Sequence, residues 1–227
     1  AQVEATREAF ALEGIRRVSY DVTDSAPSAE KIRRHTSGLP LWDDRPLKAT
    51  YDQLQGLVAF HEFPEIDPDR YGEGENQEQV AIGVREFAPS RLASSARTWQ
   101  NLHLRYTHGQ GWVVTAVDRA TEGGEPKYYV RDLPPERSAD APAELEVTEP
   151  KVYFGELTTQ YVMMPPDSFP SHGKPTGVDL DNLAERAVMA WALDSKNLLL
   201  RNPGQGTPLL MWRREVVERV RSLVPFL

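Results

Sequence analysis

Hydrophobic and polar positions along the chain alternate between two periods, and the changes of period mark its elements. Helical spacing predicts a first helix over Gln2 to Leu12, stopped at Gly14. Val18, Tyr20 and Val22 alternate as in a half-buried strand. Ser25-Ala26-Pro27-Ser28 then offers capping residues and a proline for a short helix reaching about His35. In LWDDRPLKATYDQLQGLVAF, Asp43 or Asp44 can cap a helix whose face carries Leu47, Tyr51, Leu54 and Val58. Phe60 to Tyr71 is rich in proline and acids and is expected to be extended, and Gln79 to Phe87 reads as a strand.

The densest aromatic run follows, ARTWQNLHLRYTHGQGWVV from Ala96 to Val114. Trp99, Leu102, His103 and Tyr106 fall on one face of an α-helix, and the glycines at 109 and 111 break the pattern. The reading is a helix that ends at Gly109 and buries this face against a strand starting at Trp112, forming the centre of a core. Strands near Trp112–Val117 and Lys127–Asp132 are joined by Glu122-Gly123-Gly124, a hairpin signal. Leu133 to Pro150 and Pro165 to Gly177 read as exposed proline-rich loops, with strands at Lys151–Gly155 and Gln160–Met164 between them.

The last quarter is expected to be helical. Asp179 would cap a helix burying Leu180, Leu183, Ala187 and Trp191. Leu198–Leu200 fits a short strand or a helix extension, and Pro203-Gly204-Gln205-Gly206 would precede a final helix from about Leu209 to Leu223. Strand runs and helix runs without strict alternation indicate an α+β fold, with a mixed or mainly antiparallel sheet and packed helices. A length of 227 residues is compatible with one domain spanning 1–227, and a subdivision into 1–133 and 151–227 around the loop 134–150 is an alternative.

Composition narrows the chemistry. A formal net charge of −8 argues against nucleic acid as a partner, since phosphate backbones reward a basic surface. The absence of cysteine removes disulfides, thiolate metal sites and cysteine nucleophiles together. No stretch approaches the ~18 apolar residues of a membrane span, so this segment is expected to be soluble. The chain starts within a helical pattern and ends on the apolar Pro225-Phe226-Leu227, which reads as a cut through a longer polypeptide.

Candidate sites are sparse. His61-Glu62 opens a helical zinc-protease string, but no second histidine stands at Glu65. His103 and His108 are the catalytic candidates. Their spacing turns them about 140° apart on a regular helix, so only the Gly109 turn could bring them together. The simpler reading of His103 is a hydrogen-bonded core histidine. Asp67, Asp69, Gly72 and Glu78 occupy positions 1, 3, 6 and 12 of a calcium loop, but Tyr71 stands where a carboxylate belongs, which favours a solvated acidic loop over a calcium site. No transition-metal site and no other cofactor is expected. Glu149 and Glu156 form a carboxylate pair on paper only. Arg213, Arg214, Arg219 and Arg221 surround apolar residues of the last helix, as in a core-docked helix with a basic solvated face.

The segments VEATREAFAL, LWDDRPLKATYDQLQ, DPDRY, ARTWQNLHLRYTHGQGWVV, YYVRDLPP, YFGEL and WRREVVERVRSLVPFL, in that order, resemble the extracytoplasmic part of bacterial multi-pass membrane proteins grouped as an uncharacterised protein family (UPF). The resemblance implies transmembrane helices before this region and more sequence after it. It implies a cell-membrane location with this domain on the extracytoplasmic side, and supplies no activity. The partners it implies are transmembrane helices of the same polypeptide, with other envelope proteins or a small ligand as further candidates. The functional expectation is a domain for ligand binding, sensing or assembly. The alternatives are a cell-envelope hydrolase built on His103, His108 and nearby carboxylates, and a calcium-stabilised extracellular module.

Overall fold

A computed structural model describes residues 2–12, 14, 18–19, 26–72, 77–164, 177–200 and 209–226. The fold is α+β with antiparallel sheets. The chain divides into two compact units between Ser37 and Gly38. The first unit carries two helices, α1 (Gln2–Ala9) and α2 (Ala29–Thr36). Ser28, which follows Pro27, caps α2 by accepting a hydrogen bond from the Lys31 amide at 3.2 Å, as a capping residue just before the helix predicts. The strand expected from Val18 to Val22 lies partly outside the described residues.

The second unit opens with α3 (Asp44–Gln55), capped by Asp43. The strands β1 (His61–Glu62), β2 (Asp67–Tyr71), β3 (Glu78–Val84) and β4 (Glu86–Phe87) follow. After a π-helical turn (Asn101–Arg105) come β5 (Gly109–Gln110), β6 (Trp112–Ala120), β7 (Pro126–Arg131) and β8 (Glu136–Arg137). The remaining elements are β9 (Lys151–Val152), β10 (Val162–Met164), β11 (Val178–Asp179), α4 (Leu183–Ala192), α5 (Asn197–Leu200), β12 (Leu209–Met211) and α6 (Val216–Leu223).

The larger sheet runs β2-β3-β6-β7-β8, all antiparallel. Its central strand β6 is apolar on both sides, so WVVTAV reads as a continuous run because both faces are covered. On one face, α3 lays Leu47 and Tyr51 onto Phe63, Ile66, Ala81, Val113 and Val117. The Tyr51 hydroxyl reaches Ala81 O at 3.0 Å and Thr115 Oγ1 at 2.8 Å, so its polar end is satisfied in the core. The expected α3 face is wrong at its C-terminal end: Leu54 is exposed and Gln55 is buried instead. Gln55 goes inward because its amide oxygen accepts from Arg85 Nη2 at 2.7 Å and from the Asp132 amide at 2.7 Å.

On the opposite face, Val80, Val114, Ala116, Tyr129 and Val130 meet Ala141 and Leu145. Residues 134–150 are therefore no free spacer. They add β8 to the sheet and return two side chains to its core, because Ala141 and Leu145 are apolar anchors among the prolines.

The smaller sheet runs β10-β12-β11. Its faces carry two clusters, Met163, Leu180, Ala190, Leu198 and Leu210 on one side, and Tyr153, Val162, Met164 and Met211 on the other. The expected final helix is thus a strand over Leu209–Met211, and α6 begins only at Val216. Three apolar residues in succession suit a strand covered on both faces, which helical periodicity does not distinguish. The cap of α4 is Asn182, in a capping box with Glu185, rather than Asp179, which pairs with Leu209 in the sheet. This start sets the rotation of α4: Ala190 points inward, whereas Leu183 and Trp191, expected to be buried, are 71% and 86% exposed.

The aromatic run joins the two sheets in a way its spacing did not predict. Over Asn101–Arg105 the helix widens to π geometry, with Tyr106 N donating to Asn101 O at 2.8 Å. Only His103 is fully buried, and Trp99 and Leu104 pack on the Met163–Leu210 cluster of the smaller sheet, not on β6. Tyr106 turns away to pack its ring, tilted, against Phe60, 4.6 Å between centroids. Gly109 does not stop a helix but starts β5, where a side chain would meet Arg85 O at 2.0 Å. The left-handed conformation falls at Gly111, with φ +71°.

Candidate functional site

A cleft of about 970 Å³ opens beside the π-helical turn, walled by residues 159–161, by the end of α4 and the segment leading into α5, and by Trp212 and Arg213. Its inner wall is a hydrogen-bond chain. The Trp99 indole donates to the Tyr161 hydroxyl at 2.7 Å, because an indole N–H can only donate. The Tyr161 hydroxyl lies 2.6 Å from Ser195 Oγ, a pair in which either hydroxyl can donate. The His103 ring stacks on Tyr161 at 3.9 Å between centroids. Its Nδ1 meets Tyr161 O at 2.6 Å. A carbonyl only accepts, so Nδ1 carries the proton and the neutral ring keeps its lone pair on Nε2. Burial, partly countered by that hydrogen bond, holds the His103 pKa below the usual histidine value, so the neutral ring is the form present near neutrality.

Charge around the cleft is balanced: Lys196 and Arg213 face Asp194 and Glu218. Asp194 and Arg213 both adopt positive φ, at +47° and +51°, conformations that side chains other than glycine take at some cost. Two of these strained positions therefore sit on the rim of one cavity.

His108 does not share this cleft. Its Nδ1 donates to Gly109 O at 2.8 Å and its ring meets the edge of Tyr153 at 5.3 Å between centroids. Beside it lies His61, buried, with Nδ1 lacking a hydrogen-bond partner among the described residues. Burial, then His108 and Arg85, lowers the His61 pKa to about 4. The HE string thus places its histidine in a packed junction between sheets, on a two-residue strand and not on a helix.

Two buried arginines hold this junction. Arg85 gives Nε to Gln55 O at 2.9 Å, and its pKa is lowered by burial to about 10. Arg214 donates to the carbonyls of Tyr153 at 2.7 Å, Gln160 at 3.0 Å and Thr107, stitching the π turn, the 153–160 loop and β12 together. Burial lowers its pKa to about 9. Arg214 is therefore a core cation, unlike the solvated basic face expected of the last helix. Glu86 is buried as well. It accepts from the amides of Glu156 at 3.0 Å and Leu157 at 2.7 Å, and burial raises its pKa. Gly155 leaves the room for it, since a Cβ there would sit 2.2 Å from the carboxyl carbon.

The acidic stretch is a β-hairpin. Asp67 pairs with Ile82 and Tyr71 with Glu78, so Asp67 and Glu78 stand at opposite ends of a ladder five pairs long. Glu78 is engaged by Arg119 and by the Tyr129 hydroxyl, and Asp69 accepts from the Arg70 amide at 2.7 Å. The structure does not bring the calcium-loop carboxylates together. No cluster of three His, Cys, Asp or Glu side chains suited to a metal occurs among the described residues. Glu149 accepts from the Lys151 amide while Glu156 belongs to the turn around Glu86.

Tyr161, Ser195 and Arg85 escaped sequence reasoning, and Arg214 was read as part of a solvated face, because each carries tertiary chemistry without a local motif. Arg85 alone left a signal, a charge inside the apolar run AIGVREF.

Comparison with known proteins fits this picture of an unassigned site. The chain belongs to the uncharacterised protein family UPF0182, whose model matches residues 1–227. A UPF0182 protein of Pelotomaculum thermopropionicum is 32% identical over 240 residues, covering 99% of this chain and 26% of its own length. Those of Moorella thermoacetica and Geobacter sp. (strain M21) are 33% and 32% identical, and again 26% of each is covered. The chain thus spans about a quarter of the length of the curated relatives it matches. No solved structure matches it.

Proposed function

We propose that this chain is the extracytoplasmic domain of a membrane-anchored protein, and that it binds a small polar ligand in the cleft beside Trp99 and Tyr161. The cleft carries the reading. Its size of about 970 Å³ suits a small molecule, and it combines aromatic walls with a few fixed polar groups. Balanced charge at the rim favours a neutral or zwitterionic ligand over a phosphate or a polycation. The hydrolase alternative is less well supported, because His103 is tied to Tyr161 O, His108 lies outside the cleft, and Ser195 is hydrogen-bonded to Tyr161. No helix among the described residues is long and apolar enough to cross a membrane. In this reading the anchor belongs to the remainder of the family polypeptide.

The five tryptophans supply the test. Soluble cell-wall glycan fragments and their stem peptides are titrated while indole N–H resonances are followed by NMR. The signals of Trp99 and Trp212 should move, those of Trp42 and Trp191 should not, and Ala192→Trp, which fills the cleft, should abolish the change. A screen that moves none of them at millimolar concentration, or moves only Trp191, would refute the cleft as the site.

A further inference from the structure

The helix α4 is apolar on two sides. Ala190 faces the smaller-sheet core, with Met189 packed partly against it, and Met189 also lines the cleft. Leu183, Ala184, Ala187, Val188 and Trp191 form a second stripe that points outward. At 100° per residue these five positions span about 140° of the helix circumference, as wide as the stripe by which an ordinary surface helix meets its core. Leu183, Val188 and Trp191 are 71%, 61% and 86% exposed. A helix apolar nearly all round is normally covered on every side, and the described residues cover only one side of α4.

We propose that this outward stripe docks another part of the same polypeptide: an apolar helix or sheet face contributed by the three quarters or so of UPF0182 proteins that lies beyond the matched segment. Area selects this occupant over a second copy. The stripe offers on the order of 500 Å², below the ~800 Å² per partner typical of a stable association. Covalent linkage compensates for a small contact by raising the effective concentration to about the millimolar range. Charge selects a protein face over a lipid surface. The polar residues flanking the stripe on α4 are one of each sign, Glu185 on one edge and Arg186, tied to Leu198 O, on the other, and the chain carries a net charge of −8, whereas membrane-surface helices are flanked on both edges by lysine and arginine.

The absence of cysteine makes the test direct. Trp191→Cys introduces a single thiol into this segment and removes no core packing, since the indole is exposed. Its rate of maleimide labelling is compared between the isolated 227-residue chain and the full-length polypeptide with any other cysteines replaced. Glu122→Cys at the exposed hairpin serves as reference. Docking in cis predicts labelling at least tenfold slower at position 191 in the full-length protein, with no change at position 122. Equal rates at position 191 in both would overturn the proposal. So would protection in the isolated chain that grows with its concentration, which indicates a second copy. Protection of the isolated chain by detergent micelles or by phosphatidylethanolamine–phosphatidylglycerol vesicles would also overturn it, indicating a lipid surface.

Discussion

Lowering the pH from 7.5 to 4.5 should destabilise the protein through His61, and the size of the effect follows from its position. The ring is buried between the sheets, beside His108 and near Arg85, so a proton adds charge where it is least solvated and faces positive neighbours. The folded-state pKa is about 4 against 6.5 for the free side chain. Between those values the unfolded chain binds more protons than the native one. The stability contribution is therefore complete above pH 6.5 and is lost as pH falls toward 4. A depression of this size corresponds to about 3 kcal/mol, which relaxation and water penetration around a charged ring reduce to on the order of 2 kcal/mol. His103 and His108 add losses of the same sign. Glu86, with a raised pKa, opposes them, because its protonation in the native state becomes favourable as pH falls. Subtracting a His61→Gln variant isolates the one group. Denaturant titrations of both proteins at pH 7.5 and 4.5 should show the wild type losing about 2 kcal/mol more than the variant. Equal losses would refute the buried, neutral His61.

At the end of α3, Gln55→Ala should cost about 2–3 kcal/mol, because it orphans Arg85 Nη2 and the Asp132 amide, whereas Leu54→Ala next to it should cost less than about 1 kcal/mol; chemical denaturation ranks the pair. Gly109→Ala should cost about 3 kcal/mol or prevent folding, since its methyl would meet Arg85 O at 2.0 Å, while Gly123→Ala at the open hairpin should lie within about 0.5 kcal/mol of wild type; thermal melts followed by circular dichroism decide this. Millimolar calcium, or a chelator, should leave the melting temperature unchanged, because Asp67 and Glu78 lie at opposite ends of the hairpin ladder. A rise of several degrees abolished by Asp67→Ala would contradict that geometry.

Local rules made much of this fold readable. Asp43 and Ser28 cap the helices that they precede in sequence, Gly123-Gly124 turns the β6–β7 hairpin, and β6 is the apolar run it looks like. What stayed hidden depends on partners distant in sequence. The aromatic run has α-helical spacing, but anchoring of Trp99 and His103 on Tyr161 draws the chain into a π turn on the smaller sheet. The exposed stripe of α4 shows the reverse problem. Leu183 and Trp191 carry a core-like period, yet Asn182 sets a start that turns them outward. Periodicity reports that a face is apolar and says nothing of whether its cover lies in the same segment. The cleft was legible only in pieces, Trp99 and His103 on the aromatic run and Arg213 near the last helix, because Tyr161 and Ser195 meet it from separate elements.

The most direct measurement addresses the proposed extracytoplasmic location of this domain. Glu122→Cys, at an exposed hairpin tip in a segment that otherwise contains no cysteine, is introduced into the full-length protein with any other cysteines replaced. Intact cells are treated with a membrane-impermeant maleimide before and after permeabilisation. An extracytoplasmic binding domain predicts full labelling of the intact cells, unchanged by permeabilisation. Labelling that appears only once the membrane is opened would place the domain in the cytoplasm and contradict the account.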